Sequence, residues 1–145
     1  MQKADLLLAA LASGNVETST PADVQRLLFL ISRQMPEAID DPPFKFVVCD
    51  YGPFDPRVYG LLEELAHESY VSVERPWRAV ALTPAGKERA AETLARLPAE
   101  TVDYMCRACR FVVAKSTRTL AHIADRVDTG SSEASRLRLV RKDRE

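Results

Sequence analysis

Glycine is scarce in this chain: only 5 of its 145 residues are glycine, and none belongs to a glycine-rich loop of the kind that binds phosphate groups. The 3 cysteines are too few for a disulfide scaffold, which favours a reducing, cytoplasmic setting. No apolar run approaches the roughly 20 residues that a membrane-spanning helix needs. These absences argue against a nucleotide-loop enzyme, a disulfide-rich secreted domain and a membrane protein.

The sequence also lacks a recognisable catalytic or metal-binding set. Its two histidines, His67 and His122, do not lie at zinc-finger spacing from the pair Cys106-x-x-Cys109. Both cysteines fall on the apolar stripe of a predicted helix, where cysteine behaves as a small hydrophobic residue. No Ser/His/Asp or Cys/His set follows from spacing. We therefore expect a protein that is not an enzyme and that has no cofactor and no metal site.

The composition that remains is that of an ordinary globular domain, with 46% hydrophobic and 28% charged residues. A chain of this length forms one domain with a genuine core. Charge is uneven: residues 1–106 carry 10 Lys/Arg against 16 Asp/Glu, whereas residues 107–145 carry 10 against 5. The basic C-terminal quarter is therefore either a contact for phosphates or another molecule, or a solvated helix and tail.

The most informative segment runs from Tyr51 to Arg89. Gly52-Pro53 predicts a turn, and Asp55 is suited to cap the start of a helix. Apolar residues then recur at helical spacing and define one buried face: Val58, Leu61, Leu62 and Leu65. The sequence therefore predicts a helix over residues 55–68.

Two short strands are predicted directly after this helix. Residues 70–74 alternate in polarity and residues 78–82 are mostly apolar, which favours a two-stranded ribbon with Arg75-Pro76-Trp77 at its tip. Thr83 then caps a further helix, with Pro84 at its first position. A ribbon this small is stable only when it packs on helices. A helix followed by such a ribbon is the core of a winged helix-turn-helix, so the expected fold class is α+β and mostly helical.

This unit resembles the end of the winged helix in PadR- and MarR-type regulators. The residues that carry the resemblance are Val58-Tyr59, Leu62-Glu63, Leu65, Val71 and the run Leu82-Thr83-Pro84-Ala85-Gly86-Lys87. The segment 46–56, FVVCDYGPFDP, more specifically resembles the YwgA-like and Panacea-like (SocA-type) families, in which an aromatic-Gly-Pro turn enters this helix. The resemblance covers residues 20–90. It implies either a DNA-binding transcriptional regulator or a winged-helix protein-interaction module, an antitoxin or adaptor.

If the chain binds double-stranded DNA, the helix at 55–68 enters the major groove. The candidate contact residues are Arg57, Tyr59, Gly60, His67, Arg75, Trp77 and Arg78. Arg57 is the expected base reader, and the two arginines of the ribbon are expected phosphate anchors. For three of these residues there is also an explanation that does not involve DNA. Gly60 is then the result of neutral drift, His67 interacts favourably with the C-terminal end of the helix dipole, and Trp77 packs on the core. Acidic side chains on the same helix oppose the approach of phosphates, so both functions stay open.

The chain is expected to divide into a winged-helix domain (1–97), a helical dimerisation or packing segment (98–130) and a basic tail (131–145). The tail is either a short helix or disordered. A helix that begins near Ala99 has apolar residues at close to 3.5-residue spacing, which predicts a homodimer interface: Val102, Met105, Cys109, Val112 and Val113. The alternative is that the first or fourth helix covers this stripe within one chain. A shorter helix is predicted over residues 117–127. Nearer the N-terminus, a helix is predicted over residues 2–13 with one apolar face, formed by Leu6, Leu7, Ala10 and Leu11. A second helix opens at Thr20 with a capping-box-like pattern, and residues 45–49 are a candidate short strand.

Overall fold

The computed structural model describes residues 1–40, 42–50, 52–74 and 79–129, with side chains described as far as residue 115. Five α-helices, one 3-10 turn and four strands occur in these residues. The helices are α1 (Lys3–Ser13), α2 (Pro21–Gln34), α3 (Pro56–His67), α4 (Pro84–Ala95) and α5 (Ala99–Thr129), and Pro36–Ala38 forms the 3-10 turn. The strands are β1 (Val47–Cys49), β2 (Gly52–Phe54), β3 (Val71–Glu74) and β4 (Ala79–Leu82). The predicted class, α+β and mostly helical, is confirmed.

Helix α1 lies at the centre of the core. Its residues from Leu6 to Leu11 are all buried, and it contacts α2, α3, α4, α5 and β4. The sequence predicted a single apolar face, but Leu8 and Ala9 are buried as well. A helix that is apolar all round is expected to be surrounded on all sides, and α1 is.

Helix α2 begins with the predicted capping box. The Asp23 N–H donates to Thr20 Oγ1 at 3.1 Å, and the Thr20 N–H donates to the Asp23 carboxylate at 3.2 Å. Apolar residues at helical spacing then face the core: Val24, Leu27, Leu28 and Ile31. Helix α2 contacts α5 on one side and β2 on the other, so it connects both elements to the core.

The segment before α3 differs from the prediction. A strand was expected over residues 45–49 and a turn at Gly52-Pro53, but the strand is Val47–Cys49 and it pairs antiparallel with Gly52–Phe54. Gly52 therefore belongs to a strand, and its φ of 106° is a conformation that glycine adopts without strain. A Gly-Pro pair in a sequence predicts that the chain reverses direction at those two residues. Here the chain has already reversed direction before Gly52, and Gly52-Pro53 begins the returning strand.

The predicted helix with a ribbon directly after it is confirmed. Helix α3 is followed by β3 and β4, which pair antiparallel from Val71↔Leu82 to Glu74↔Ala79. Ser19 bridges to Val80 on the other edge of β4, with backbone hydrogen bonds of 2.9 and 2.7 Å. This bridge attaches the ribbon to the residues that lead into α2.

Helix α5 is one continuous helix of 31 residues, so the prediction of two separate helices was wrong. No glycine or proline occurs between Ala99 and Thr129 that would interrupt it. Three residues predicted for a dimer interface, Met105, Cys109 and Val112, are instead buried in this chain against α1 and α2. Val102 and Val113 are half-buried. The structure thus supports the alternative, in which other helices of the same chain pack over this stripe. The predicted basic tail lies outside the described residues.

Candidate functional site

The entry to α3 is built on the buried carboxylate of Asp55, the predicted N-cap. Its Oδ1 accepts a hydrogen bond from the Arg57 N–H at 3.0 Å, and its Oδ2 accepts one from the Lys45 N–H at 2.7 Å. The side chain of Gln25 on α2 bonds the backbone of the same residue. The start of α3 is therefore tied to both α2 and the segment before β1.

The Arg57 side chain, the expected base reader, is held by this carboxylate. Arg57 Nη2 donates to Asp55 Oδ2 at 2.7 Å and to the Pro43 carbonyl oxygen at 3.0 Å, and Nε also donates to the carboxylate. Burial would raise the pKa of Asp55, but the hydrogen bonds from Arg57 and Lys45 outweigh it and lower that pKa. The Arg57 side chain is 41% exposed, yet two of its guanidinium nitrogens already have partners.

The other predicted DNA contacts on α3 lie along its outer side. The Tyr59 ring packs on Phe54 with ring centroids 5.9 Å apart. Gly60 is exposed, and a Cβ there would meet no atom within 4 Å. His67 lies exposed in the last turn of α3, a position that favours basic residues. Arg75, Trp77 and Arg78 lie outside the described residues.

Carboxylates dominate the exposed surface around these residues. Glu63 and Glu64 are exposed on α3, Glu68 is exposed at its C-terminal cap, and Glu74 ends β3. Non-specific DNA affinity comes largely from cations that neutralise phosphates. The described part of this face therefore has the wrong sign of charge for strong DNA binding.

A second surface, which sequence reasoning missed, lies between the β1–β2 hairpin, α2 and α5. We call it the hairpin groove. It has a volume of about 280 Å³. Its lining is mostly apolar and consists of Arg26, Phe29, Leu30, Val48, Cys49, Asp50, Gly52, Pro53, Phe111, Val112 and Lys115. Val48 is 76% exposed and Phe111 is 56% exposed, so the groove presents apolar side chains to solvent.

The opposite face of the hairpin is apolar too. Val47 is 64% exposed and is the cross-strand partner of Phe54, which is 38% exposed. The large exposed apolar side chains of the described residues thus all lie on this hairpin or, for Phe111, beside it. Such clustering marks an interaction surface more often than isolated exposed residues do.

The sequence held only a partial signal for this surface. The predicted strand over residues 45–49 overlaps β1, but nothing in its sequence shows that both faces of the strand are exposed. Phe111 stands next to the buried Val112 and off the apolar stripe of α5, so an aromatic side chain at an exposed helix position was the available clue.

Comparison with known proteins returned no match: no family model, no curated protein and no solved structure matches this chain. The resemblance to winged-helix regulators and to YwgA-like and Panacea-like proteins therefore stays a prediction from motifs. Two further features are absent from the described residues. Among them no helix has the length and apolar character to cross a bilayer, and no three His, Cys, Asp or Glu side chains are grouped to hold a metal ion.

Proposed function

We propose that this chain is a winged-helix protein-interaction module of the antitoxin or adaptor class, and that it binds a partner protein at the hairpin groove. The observation that carries the proposal is the clustering of exposed Val48 and Phe111 around one apolar cavity. Apolar area of this kind is stabilised when a partner covers it, at about 25 cal/mol for each Å² removed from water. Basic and acidic side chains at the edge of the groove would then orient that partner.

The winged-helix part of the proposal is supported by local architecture. Helix α3 leads into an antiparallel ribbon, and the ribbon is attached by Ser19 to the entry of α2. The same observation favours a second candidate function, a dimeric DNA-binding transcriptional regulator, because the helix before the wing is the one that reads the major groove. The acidic surface of α3 and the engaged guanidinium of Arg57 make it the weaker of the two.

The experiment uses one groove variant and one matched control. Phe111→Glu places a charge in the groove, whereas Ala91→Glu places the same charge on an exposed position of α4, away from it. Each protein is used to capture partners from lysate, and each captured protein is purified and titrated by calorimetry. We expect a partner that binds wild type and the α4 variant alike and binds the groove variant at least roughly tenfold more weakly. Equal affinity for all three proteins would contradict the proposal.

The second candidate has its own test. Wild-type protein is titrated against the DNA upstream of its gene in an electrophoretic shift assay at several salt concentrations. Salt-dependent shifts would support DNA binding. In that case Arg57→Ala should reduce discrimination between sites by about 1–3 kcal/mol, and Arg78→Ala should weaken all sequences alike. No shift with any of the three proteins would contradict it.

A further inference from the structure

The exposed side of helix α3 has a glycine at its centre. Residues three, four or seven positions apart share one side of an α-helix, so Gly60 lies on the same side as Pro56, Glu63, Glu64 and His67. All five residues are exposed, whereas the buried residues of α3 lie on the opposite side. We call this side of α3 the outer face.

No contact among the described residues explains the glycine at position 60. Its backbone is helical, so the freedom of glycine to adopt a positive φ is not used there. A Cβ at this position would meet no atom within 4 Å. Glycine is also one of the least favourable residues inside a helix. What it provides at an exposed position is the absence of a side chain, which lets the backbone of another molecule approach closely.

Apolar side chains border the outer face where it meets the β1–β2 hairpin. Tyr59 packs on Phe54, with ring centroids 5.9 Å apart, and Phe54 is the cross-strand partner of Val47. Phe54 is 38% exposed and Val47 is 64% exposed. These three side chains form an apolar strip beside Gly60, on the opposite face of the hairpin from the groove. A partner that covers the strip removes it from water.

The charge of this surface indicates which kind of partner it fits. Four carboxylates are exposed on the outer face or beside it: Glu63, Glu64, Glu68 and Glu74. The cation in the first turn of α3, Arg57, is held by the carboxylate of Asp55 at 2.7 Å. A negative surface attracts lysine and arginine and repels carboxylates and phosphates. The complementary partner is therefore basic, with apolar side chains that cover the strip.

We propose that the outer face of α3 binds a basic amphipathic helix of a partner protein, and that this helix crosses α3 at Gly60. Packed helices lie about 8–10 Å apart, depending on the side chains at their crossing, and a glycine there permits the shorter distance. Apolar side chains of the partner helix would cover Phe54 and Tyr59, and its cations would pair with Glu64 and Glu68. The outer face is separate from the hairpin groove, so the proposal does not depend on the function proposed above.

The first test uses two synthetic peptides and the full chain. One peptide is a fluorescently labelled amphipathic helix of lysine, leucine and alanine, about 20 residues long so that it forms a helix when bound. The other has glutamate in place of every lysine. In fluorescence anisotropy we expect the lysine peptide to bind, more weakly as salt is added. The glutamate peptide should bind at least roughly tenfold more weakly, because its charges are repelled.

The second test places a side chain at the proposed crossing. Gly60→Gln adds no charge, and it should leave the fold intact because glutamine is a better helix former than glycine. Circular dichroism and thermal unfolding check the fold. We expect the variant to bind the lysine peptide at least roughly tenfold more weakly, since the helices can no longer approach closely. Ala91→Gln adds the same side chain to an exposed position of α4 and should bind like wild type.

The third test removes charge from two helices in turn. Glu64→Gln combined with Glu68→Gln should weaken binding of the lysine peptide roughly fivefold and make it less sensitive to salt. Glu88→Gln combined with Glu92→Gln removes the same charge from exposed positions of α4. This matched control should change the affinity and its salt dependence much less, because its carboxylates do not face the peptide.

Four results would overturn the proposal: no binding of the lysine peptide, unchanged binding in Gly60→Gln, equal losses in the two double variants, or tighter binding of a DNA duplex than of the peptide at this face. Unchanged binding in Gly60→Gln would assign the glycine to neutral drift. Phe111→Glu leaves the outer face intact and should bind the lysine peptide like wild type. Failure of partner binding at the hairpin groove therefore remains distinguishable from failure of binding at the outer face.

Discussion

The side-chain amide of Gln25 bonds both backbone groups of Asp55. Its Nε2 donates to the Asp55 carbonyl oxygen at 3.1 Å, and its Oε1 accepts from the Asp55 N–H at 3.0 Å. Both residues are buried. This pair of hydrogen bonds substitutes for a strand partner at the point where β2 ends and α3 begins. It therefore sets the position of α3 and of the hairpin groove relative to α2.

The first prediction concerns this contact. Gln25→Ala leaves a buried N–H and a buried carbonyl without partners, each of which costs about 1–3 kcal/mol. We expect the free energy of unfolding, measured by urea denaturation, to fall by at least about 2 kcal/mol. The control is Gln34→Ala at the exposed end of the same helix, which should change stability by less than about 0.5 kcal/mol. Equal effects of the two substitutions would show that the Gln25 contact contributes little.

The second prediction is a pH dependence from Asp55. Burial raises the pKa of this carboxyl, but hydrogen bonds from Arg57 and Lys45 lower it further, so the net shift is downward. A group whose pKa is lower in the folded state stabilises the protein above its unfolded pKa of about 3.9, and this stabilisation is lost as pH falls through the folded value. The free energy of unfolding should therefore decrease on acidification from about pH 5 downward.

Asp55→Asn tests that assignment. Asparagine can still cap the helix, but it cannot form the ion pair with Arg57. We expect the variant to be less stable than wild type at neutral pH and to lose less stability in acid, so that the two unfolding curves converge as pH falls. Parallel curves for the two proteins would assign the acid sensitivity to other carboxylates.

The third prediction separates the cysteines. Burial, the neighbouring Cys106 and the carboxylate of Asp23 raise the pKa of the Cys109 thiol to about 11. At pH 8 roughly 0.1% of it is thiolate, whereas Cys49 is exposed. A disulfide reagent that reacts with protein thiols and releases its own thiolate, which is measured, should modify Cys49 rapidly in the native protein. It should modify Cys109 only after unfolding. Cys49→Ser should remove the fast phase, and rapid native modification at Cys109 would show that α5 detaches from α1.

Local signals in the sequence predicted the parts of the fold that local interactions control. The cap at Asp55, the capping box at Thr20 and the ribbon after α3 each depend on residues a few positions apart, and the structure contains all three. The apolar stripe of α5 was recognised correctly as well. The sequence left open whether a second copy or another helix of the same chain covers this stripe, because only the central position of α1 shows that Met105 and Cys109 are covered within the chain.

The hairpin groove could not be predicted for a related reason. The exposure of Phe111 depends on where α5 passes α2 and the hairpin, which no short-range pattern records. Gly52-Pro53 was misplaced because glycine and proline favour a reversal without showing on which side of it they lie. The candidate site was therefore the part of the molecule least accessible to sequence reasoning, since it joins segments that are distant in the chain.

The last prediction compares two helical glycines. Gly86, in the Leu-Thr-x-x-Gly motif, lies in the first turn of α4, and its N–H donates to Thr83 Oγ1 at 3.1 Å. A Cβ on Gly86 would clash with the backbone oxygen of Tyr70, whereas a Cβ on Gly60 would meet nothing within 4 Å. A backbone atom cannot rotate away as a side chain can, so the glycine of this motif is required by the close approach of α4 to the turn before β3.

Gly86→Ala should therefore lower the free energy of unfolding by about 3 kcal/mol, because the added methyl group forces α4 away from the ribbon. Gly60→Ala should raise it by about 1 kcal/mol, since alanine is the better helix former at an exposed position. Thermal and urea unfolding of the two variants measure this difference in sign.

The stabilised Gly60→Ala protein is also a direct probe of α3. If it still folds but no longer binds DNA or the partner protein, another molecule must approach the backbone of that helix closely at this position. Stabilisation with unchanged binding would leave the hairpin groove as the candidate surface.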